Sequence, residues 1–452
     1  MLSLSGNLKK TTAGVAAVLA LTLGFAGCSS GSGSSGETSA AGGSETTTTQ
    51  TSEPAAESVT MTFWHNGTGE KATTYWENTV KDFEAANPGV TIEIQVVQNE
   101  DLDGKLQTAM QAGTTPDIFL QRGGGKMAEM LAAGQVMDIT DLIDADIKAA
   151  YGEGAFGFDS LNGRIYAMPM SVQPEGLWYN QDLFDQAGIT TNPTDMASFN
   201  EAVATLKAAG IQAVALGAQD AWPAAHWFYS FALRECSKDV IDNLTSDKKF
   251  DDPCWLKAFQ DVADLNATNP WNQGFLTTVA QQGAGSSAGL VANGQAAMEL
   301  MGSWEPGVIG GLTPDGENLA SLRWFAFPAV DGGQGDPTAI MGGSDGYSCS
   351  AAAPPACVDF LNFIAQKEYS EGYADAYSTL PANSEAMGVV TDPSLKAAAE
   401  AYSQAAYAVL WFDTSLGQDV GNAVNNAVVT LLAGQVDAAG ALQLMQAAVA
   451  AG

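Results

Sequence analysis

Between Val59 and Leu120 the apolar residues of this chain switch repeatedly between a spacing of two and the spacing of a helix, which narrows the possible folds more than any other feature. Val59, Met61 and Phe63 alternate with Thr60, Thr62 and Trp64, as a strand with one buried face requires. Trp76, Val80 and Phe83 then recur at helical spacing, and Asn87, Pro88 and Gly89 stop that helix. A second strand carries Val90, Ile92, Ile94 and Val96 on one face. Leu102, Leu106 and Met110 mark a second helix ending at Gly113, and Asp117 to Leu120 reads as a third strand. Strands and helices in that alternation call for an α/β architecture, a parallel sheet with helices on both faces. On such sheets a ligand sits beyond the carboxyl ends of the strands.

The pattern restarts further on. Arg164 to Met168 reads as a strand leading into a crossing segment near Met170. A helix carrying Phe199, Val203 and Leu206 ends at Gly210, and Ala213 to Leu216, Ala297 to Met301 and Trp324 to Phe327 read as further strands. From Gly417 to Ala450 the chain is mostly helical, with Val420, Val424 and Val428 on one face. A chain of 452 residues is too long for one compact core, so two α/β lobes joined by crossing segments are expected.

The N-terminus reads as an export signal. Lys9 and Lys10 precede an apolar run from Ala13 to Ala26, shorter than the ~20 residues that span a bilayer, and small residues lead to Cys28. This order resembles a bacterial lipobox, which makes 1–27 a signal peptide and Cys28 the acylated first residue of the mature protein. Residues 28–58 are then a tether of Gly, Ser, Thr, Ala and Glu that cannot build a core. An anchorage at the extracellular face of the cytoplasmic membrane is expected.

Charge excludes some ligands. There are 18 Lys and Arg against 51 Asp and Glu, and loss of Lys9 and Lys10 leaves 16 against 51, a net charge of −35. Such a field repels phosphate backbones and anionic solutes, so no nucleic acid is expected as a partner and a neutral ligand suits the chain. Four further cysteines in an exported chain indicate disulfides. Of the three possible pairings, the sequence-local one is expected, Cys236 with Cys254 and Cys349 with Cys357. No CxxC spacing occurs and the only histidines are His65 and His226, so neither a metal nor a cofactor is expected.

The chain has no GxxxxGK[ST] loop and no HExxH pair. It does have ten Trp, eleven Tyr and eighteen Phe. Trp64, Trp222, Trp271, Trp304 and Trp411 each stand among turn formers or small residues, with polar neighbours close by: His65 and Asn66, Gln219 and Asp220, Asn272, Glu305, and Asp413. A pyranose has an apolar C–H face that packs on an indole and hydroxyls that need planar donors and acceptors at its rim. Aromatics paired with amides and carboxylates therefore point to carbohydrate. Binding without chemistry, hence not an enzyme, is expected.

A series of motifs in order resembles the extracellular solute-binding proteins of ABC importers, the sugar-binding group that includes maltose-binding protein. VTMTFWH is similar to the first strand of that family, FEAANPGVTIEI to its helix, turn and second strand, and TPDIFLQRGGGKMAEMLAAGQVMDITDLI to its third strand and next helix. NGRIYAMPMSVQPEGLWYNQDLFDQAGI resembles its first crossing between lobes, followed by NGQAAMELMGSW, LPANSEA and LLAGQVDAAGALQLMQAA. The run LWFDTSLGQDVGNAVNNAVVTLLAG looks more like actinobacterial binders of oligosaccharides.

The resemblance implies a two-lobed periplasmic-binding-protein fold, each lobe a sheet flanked by helices, with a hinge of crossing segments. The first lobe would comprise 59–169 plus 335–383 and the second 170–334 plus 384–452. It implies ligand contacts at Trp64, His65 and Asn66 after the first strand, Gln121 and Arg122 after the third, Glu175 beyond the crossing, and Trp304 as a stacking platform. Trp222, Gly343, Ser344, Asp345 and Asp413 are further carried-over positions. Where maltose-binding protein has its last platform DVGNAVNNAV lacks a tryptophan, leaving Trp411 or Phe412 to substitute. The partners implied are an oligosaccharide and the permease subunits of an ABC importer, served by a monomer.

Overall fold

The computed structural model describes residues 58–451. The expected signal peptide, Cys28 and the expected tether as far as residue 57 lie outside them. The first sheet begins as the periodicity requires. Strand β1 (Val59–His65) runs parallel to β2 (Val90–Val96) and to β3 (Ile118–Gln121), with helices α1 (Glu70–Ala86) and α2 (Asn99–Ala112) as the crossovers. Met61, Phe63 and His65 face inward while Trp64 points to the other side of the pleat, half-buried. Because β2 is the edge strand, of its four aligned apolar residues Ile92 is buried and Val96 stays exposed.

The rest of this sheet departs from a purely parallel plan. It is completed by β4 (Met168–Pro169) and by a strand from far along the chain, β10 (Gly346–Cys349), which pairs antiparallel with both β3 and β4. Helices α1, α2, α3 (Gly124–Ala132), α7 (Ala356–Ile364) and α8 (Lys367–Tyr377) cover it. Its core centres on Phe63, Trp76, Tyr347 and Phe360, where Phe63 meets Trp76 edge to face at 4.8 Å. Truncating a fully buried tryptophan such as Trp76 to alanine costs about 3–5 kcal/mol.

The second sheet has the order β8-β5-β7-β6, formed by β5 (Glu175–Asn180), β6 (Gln212–Val214), β7 (Ala296–Gly302) and β8 (Leu322–Phe325). Strand β7 is antiparallel to β5 and parallel to β6. Helix α4 (Trp222–Glu235) is buried on every side from Pro223 to Glu235, so it is the central helix of this half. It packs against α5 (Pro253–Ala267) and α10 (Gln418–Leu432), its Tyr229 meets Phe412 of the short α9 (Phe412–Ser415) at 4.9 Å, and α10 in turn packs against α11 (Ala438–Ala451). The sulfurs of Cys236 and Cys254 bridge the end of α4 to the start of α5, and Cys349 and Cys357 bridge β10 to α7, in the sequence-local pairing.

The chain passes between the sheets more than once. Met168 pairs with Tyr347 in the first sheet, and Glu175 already pairs with Gly302 in the second. Strand β9 (Ile340–Gly342) pairs with β11 (Ala408–Leu410), and by Gly346 the chain is in the first sheet. The two passages are tied together, since Met170 and Gln173 donate their N–H groups to the carbonyls of Asp345 and Gly343. Ala339, Ile340 and Met341, which the resemblance put in the first lobe with 335–383, pack in the cores of the second sheet. Pairing with β11 draws this apolar triplet there.

Candidate functional site

Two groups of expected residues meet where the chain passes between the sheets. The first lies at the end of β3. Gln121 is buried and its Oε1 accepts the N–H groups of Arg122 and Gly123, at 2.9 and 3.1 Å, so its side chain closes the turn. Gly123 has φ +74°, and a Cβ there would lie 1.9 Å from the carbonyl of Phe158, so only glycine fits. This turn aims Arg122 at acceptors: Nη1 donates to Asp103 at 3.1 Å, Nη2 to Asn99 at 2.6 Å, and Nε lies 3.4 Å from Asp345. Burial disfavours the guanidinium charge, but Asp103, Asp345, Asp413 and Glu100 outweigh it and raise the pKa. Asp413 belongs to α9 in the second half, so the arginine feels carboxylate charge from both halves, though its direct partners Asp103, Asn99 and Asp345 are not on α9.

Asp345 and Ser344 are part of the return passage. Ser344 donates to Asp159 at 2.5 Å, and burial pushes that carboxyl up to about 7. The run Gly342 to Gly346 has the glycine and serine spacing of a hydrolase elbow, yet Ser344 is followed by strand β10 where an elbow needs a helix.

The residues expected after β1 are only partly brought in. Asn66 joins the polar group by donating to Asn99. His65 belongs to the strand and is buried against Phe63 and Trp76, its Nδ1 accepting the N–H of Gly67. Burial pushes it down to about 4, so the ring is neutral. Trp64 is on the opposite face of the strand from His65, in a surface depression with Glu100, Gly104 and Thr108 of α2. The pleat alternates faces, so Trp64 and His65 cannot both point one way.

The second group is aromatic and belongs to the second sheet. Trp304 follows β7, Trp222 opens α4 and Trp411 precedes α9. Trp304 stands edge to face with Trp411 at 5.3 Å and with Trp222 at 6.1 Å. His226 is 5.0 Å from Trp222 and stacks on Trp411 with planes 7° apart. Trp222 and Trp304 are half-buried, whereas Trp411 is buried behind them. The indole N–H groups of Trp222 and Trp304 have no partner in the protein, donors that cost about 1–3 kcal/mol each when unmatched.

Beneath the rings lies Glu175. Its Oε1 accepts from Ser230 at 3.0 Å and its Oε2 from the Trp411 indole at 2.6 Å. His226 Nδ1 is 2.6 Å from the same Oε2, an ion pair when protonated, though its angles are not those of a hydrogen bond. Asp413 accepts from Asn425, which in turn accepts from Tyr229. A Cβ at Gly343 would reach the Trp411 ring at 2.3 Å, so that indole rests on the bare backbone of the passage.

Two of the aromatics weighed from sequence are core instead. Trp271 packs on Trp227 and donates to Asn266, and Phe412 is buried against Tyr229 and Trp255. His226 and Ser230 escaped sequence reasoning, although they follow Trp222 at successive intervals of four on one helix face.

Comparison with known proteins decides the family. The model for bacterial extracellular solute-binding proteins matches residues 66–371, more than half of the chain. The chain belongs to that family. Over 276 residues the solute-binding protein is 28% identical to an uncharacterized ABC transporter extracellular-binding protein of Pyrococcus horikoshii, spanning 59% of this chain but only 60% of that protein's length. It is also 28% identical over 299 residues to the lactose-binding protein of Rhizobium radiobacter, covering 63% of this chain and 66% of that one.

Among solved structures, one from a study of xylan utilization by the thermophilic bacterium Caldanaerobius polysaccharolyticus superimposes with a TM-score of 0.78 at 26% identity, covering 86% of this solute-binding protein and 99% of that chain. A chitin oligosaccharide binding protein superimposes at 0.75 and 28% identity, covering 87% and 98%. The two sheets with their helices are thus the two lobes of this fold, and the resemblance read from the motifs holds for family and fold. Among the described residues no helix is long and apolar enough to cross a membrane.

Proposed function

We propose that this solute-binding protein captures a neutral oligosaccharide outside the cell and delivers it to the permease subunits of an ABC importer. One observation carries the reading: Trp222 and Trp304, half-buried, meet over the buried ring of Trp411 at the passage between the lobes. The apolar face of a sugar packs on such indoles. The polar rim comes from the other lobe, where Arg122 donates to Asp103 and to Asn99, pairs with Asp345, and shares Asn99 with Asn66. Proteins similar to this one are named for lactose, for melibiose, raffinose and stachyose, and for chitin oligosaccharide.

In this reading Trp304 and Trp222 stack on the sugar, while Asn66, Arg122, Asp345 and Asp413 bond its hydroxyls from both sides. The lobes are 59–169 with 343–383 and 170–342 with 384–452, and contacts made only when they meet favour the closed form. The protein acts as a monomer, without a cofactor and without chemistry, and an acylated Cys28 tethers it to the outer face of the membrane. Calorimetric titration with xylo-, chito- and raffinose-series oligosaccharides tests this, with chromatography of each sugar afterwards. Saturable binding with the sugar recovered intact is expected. Release of shorter sugars would make the protein an enzyme, and absence of heat with every series would remove carbohydrate as its ligand.

A further inference from the structure

Glu175 occupies the position at which the family resemblance implies a ligand contact, yet its carboxylate is engaged within the protein. It is 2% exposed, and Ser230, Trp411 and His226 crowd its two oxygens. We propose that Glu175 is a positioning residue: it locks the plane of Trp411, against which Trp304 leans, and does not itself touch the sugar.

The geometry supports this step by step. Trp411 rests on Gly343 with no side chain to hold its edge, so its indole N–H to Glu175 is its one polar anchor among the described contacts. A charge-assisted bond at a buried site holds one orientation more strongly than stacking alone. The same carboxylate oxygen lies 2.6 Å from Nδ1 of His226, the ring stacked on Trp411. Glu175 also pairs in register with Gly302, where a Cβ would strike the Trp304 ring at 2.2 Å. Anchor and platform are therefore fixed to adjacent strands at the same level of the sheet.

The proposal rests on the sugar-binding reading for its binding arm only. In the free protein, the indole N–H resonances of wild type and Glu175→Gln are compared by two-dimensional NMR. Of the ten tryptophans, Trp411 is expected to shift most, because it loses its charged acceptor, with Trp304 next. An unmoved Trp411 resonance overturns the proposal. The binding arm titrates xylotriose, raffinose and diacetylchitobiose into wild type, Glu175→Gln, Trp411→Phe and the double variant. Glu175→Gln is expected to weaken binding by roughly tenfold alone and by less than about twofold in the Trp411→Phe background, since the two act as a unit. An equal loss in both backgrounds assigns Glu175 to the sugar and overturns the positioning role. If wild type binds none of the three, the sugar reading is in difficulty, while the resonances of the free protein still decide the role of Glu175. Should Glu175→Gln fail to fold, Glu175→Asp, whose shorter side chain withdraws the acceptor, is read by the same Trp411 indole N–H resonance, and an unmoved resonance overturns the proposal.

Discussion

The indoles of Trp304 and Trp411 meet edge to face, with ring centroids 5.3 Å apart and planes inclined at 63°. Trp304 projects from the end of β7 in the second lobe, and Trp411 rests on Gly343 of the return passage, so Trp411 links Trp304 to that passage. Any displacement of the passage would therefore be felt at the surface that the sugar is proposed to cover.

Replacing Trp304 by alanine is expected to weaken oligosaccharide binding by about 2 kcal/mol or more, roughly 30-fold, as for a stacked aromatic at the centre of a site. The fold should survive, because Trp304 is half-buried and Trp178 and Met301 beside it remain in their core. Calorimetry and thermal melting on the same sample separate the two effects, and unchanged affinity would remove Trp304 from the site.

The start of α3 presses on the second lobe through glycines. A Cβ at Gly125 would lie 2.4 Å from the carbonyl of Ser415 and 2.5 Å from the N of Gly417, closer than atoms pack without displacement. Gly125→Ala should therefore push α3 away from α9 and cost about 1–3 kcal/mol of stability. The turn above it holds Arg122, so sugar affinity should fall as well. Urea denaturation and calorimetry check this, and an alanine variant with wild-type stability would mean that the lobes part here without cost.

Glu299 of β7 and Glu305 of α6 (Glu305–Leu312), the residue after Trp304, lie side by side, fully buried and without good hydrogen-bond partners. Burial pushes Glu299 up to about 8, and burial together with the Glu299 charge raises Glu305 well above its ordinary value. Between pH 4.5, the ordinary value, and about 8 the folded protein keeps protons that the unfolded chain has released. Their stabilising contribution is thus full below pH 4.5 and declines as the pH rises through 8. Glu305→Gln, neutral at every pH, should flatten that slope and stabilise the protein at pH 8 by about 1–3 kcal/mol. Denaturant midpoints at pH 5 and pH 8 decide, and equal slopes in variant and wild type would mean that the pair is not protonated.

The elements that could be read from sequence are those with strict local periodicity. Strands β1 to β3 and helices α1 and α2 follow from residues within a few positions of one another, and the inward sets Trp76, Val80, Phe83 and Leu102, Leu106, Met110 are the buried ones. The pairing of β10 with β3 joins residues more than two hundred positions apart, which no local pattern encodes. The same distance hides Glu175 under Trp411, 236 positions away. The misplacement of Trp64 has a different cause: the parity of β1 was visible in the alternation of Met61 and Phe63, but a motif match is blind to which face a residue takes. Trp222 stands among turn formers in the sequence, and the proline that follows it is also what the first turn of a helix accepts.

A thermal-shift panel on the wild-type protein, setting neutral oligosaccharides against short peptides and polyols, asks what the site around Trp222 and Trp304 is for. A ligand held at 100 times its Kd stabilises the fold by about 2.7 kcal/mol, enough to move the melting temperature clearly. At least one oligosaccharide should raise it while peptides and polyols do not. A shift with peptides or polyols alone would contradict the assignment of these indoles to carbohydrate.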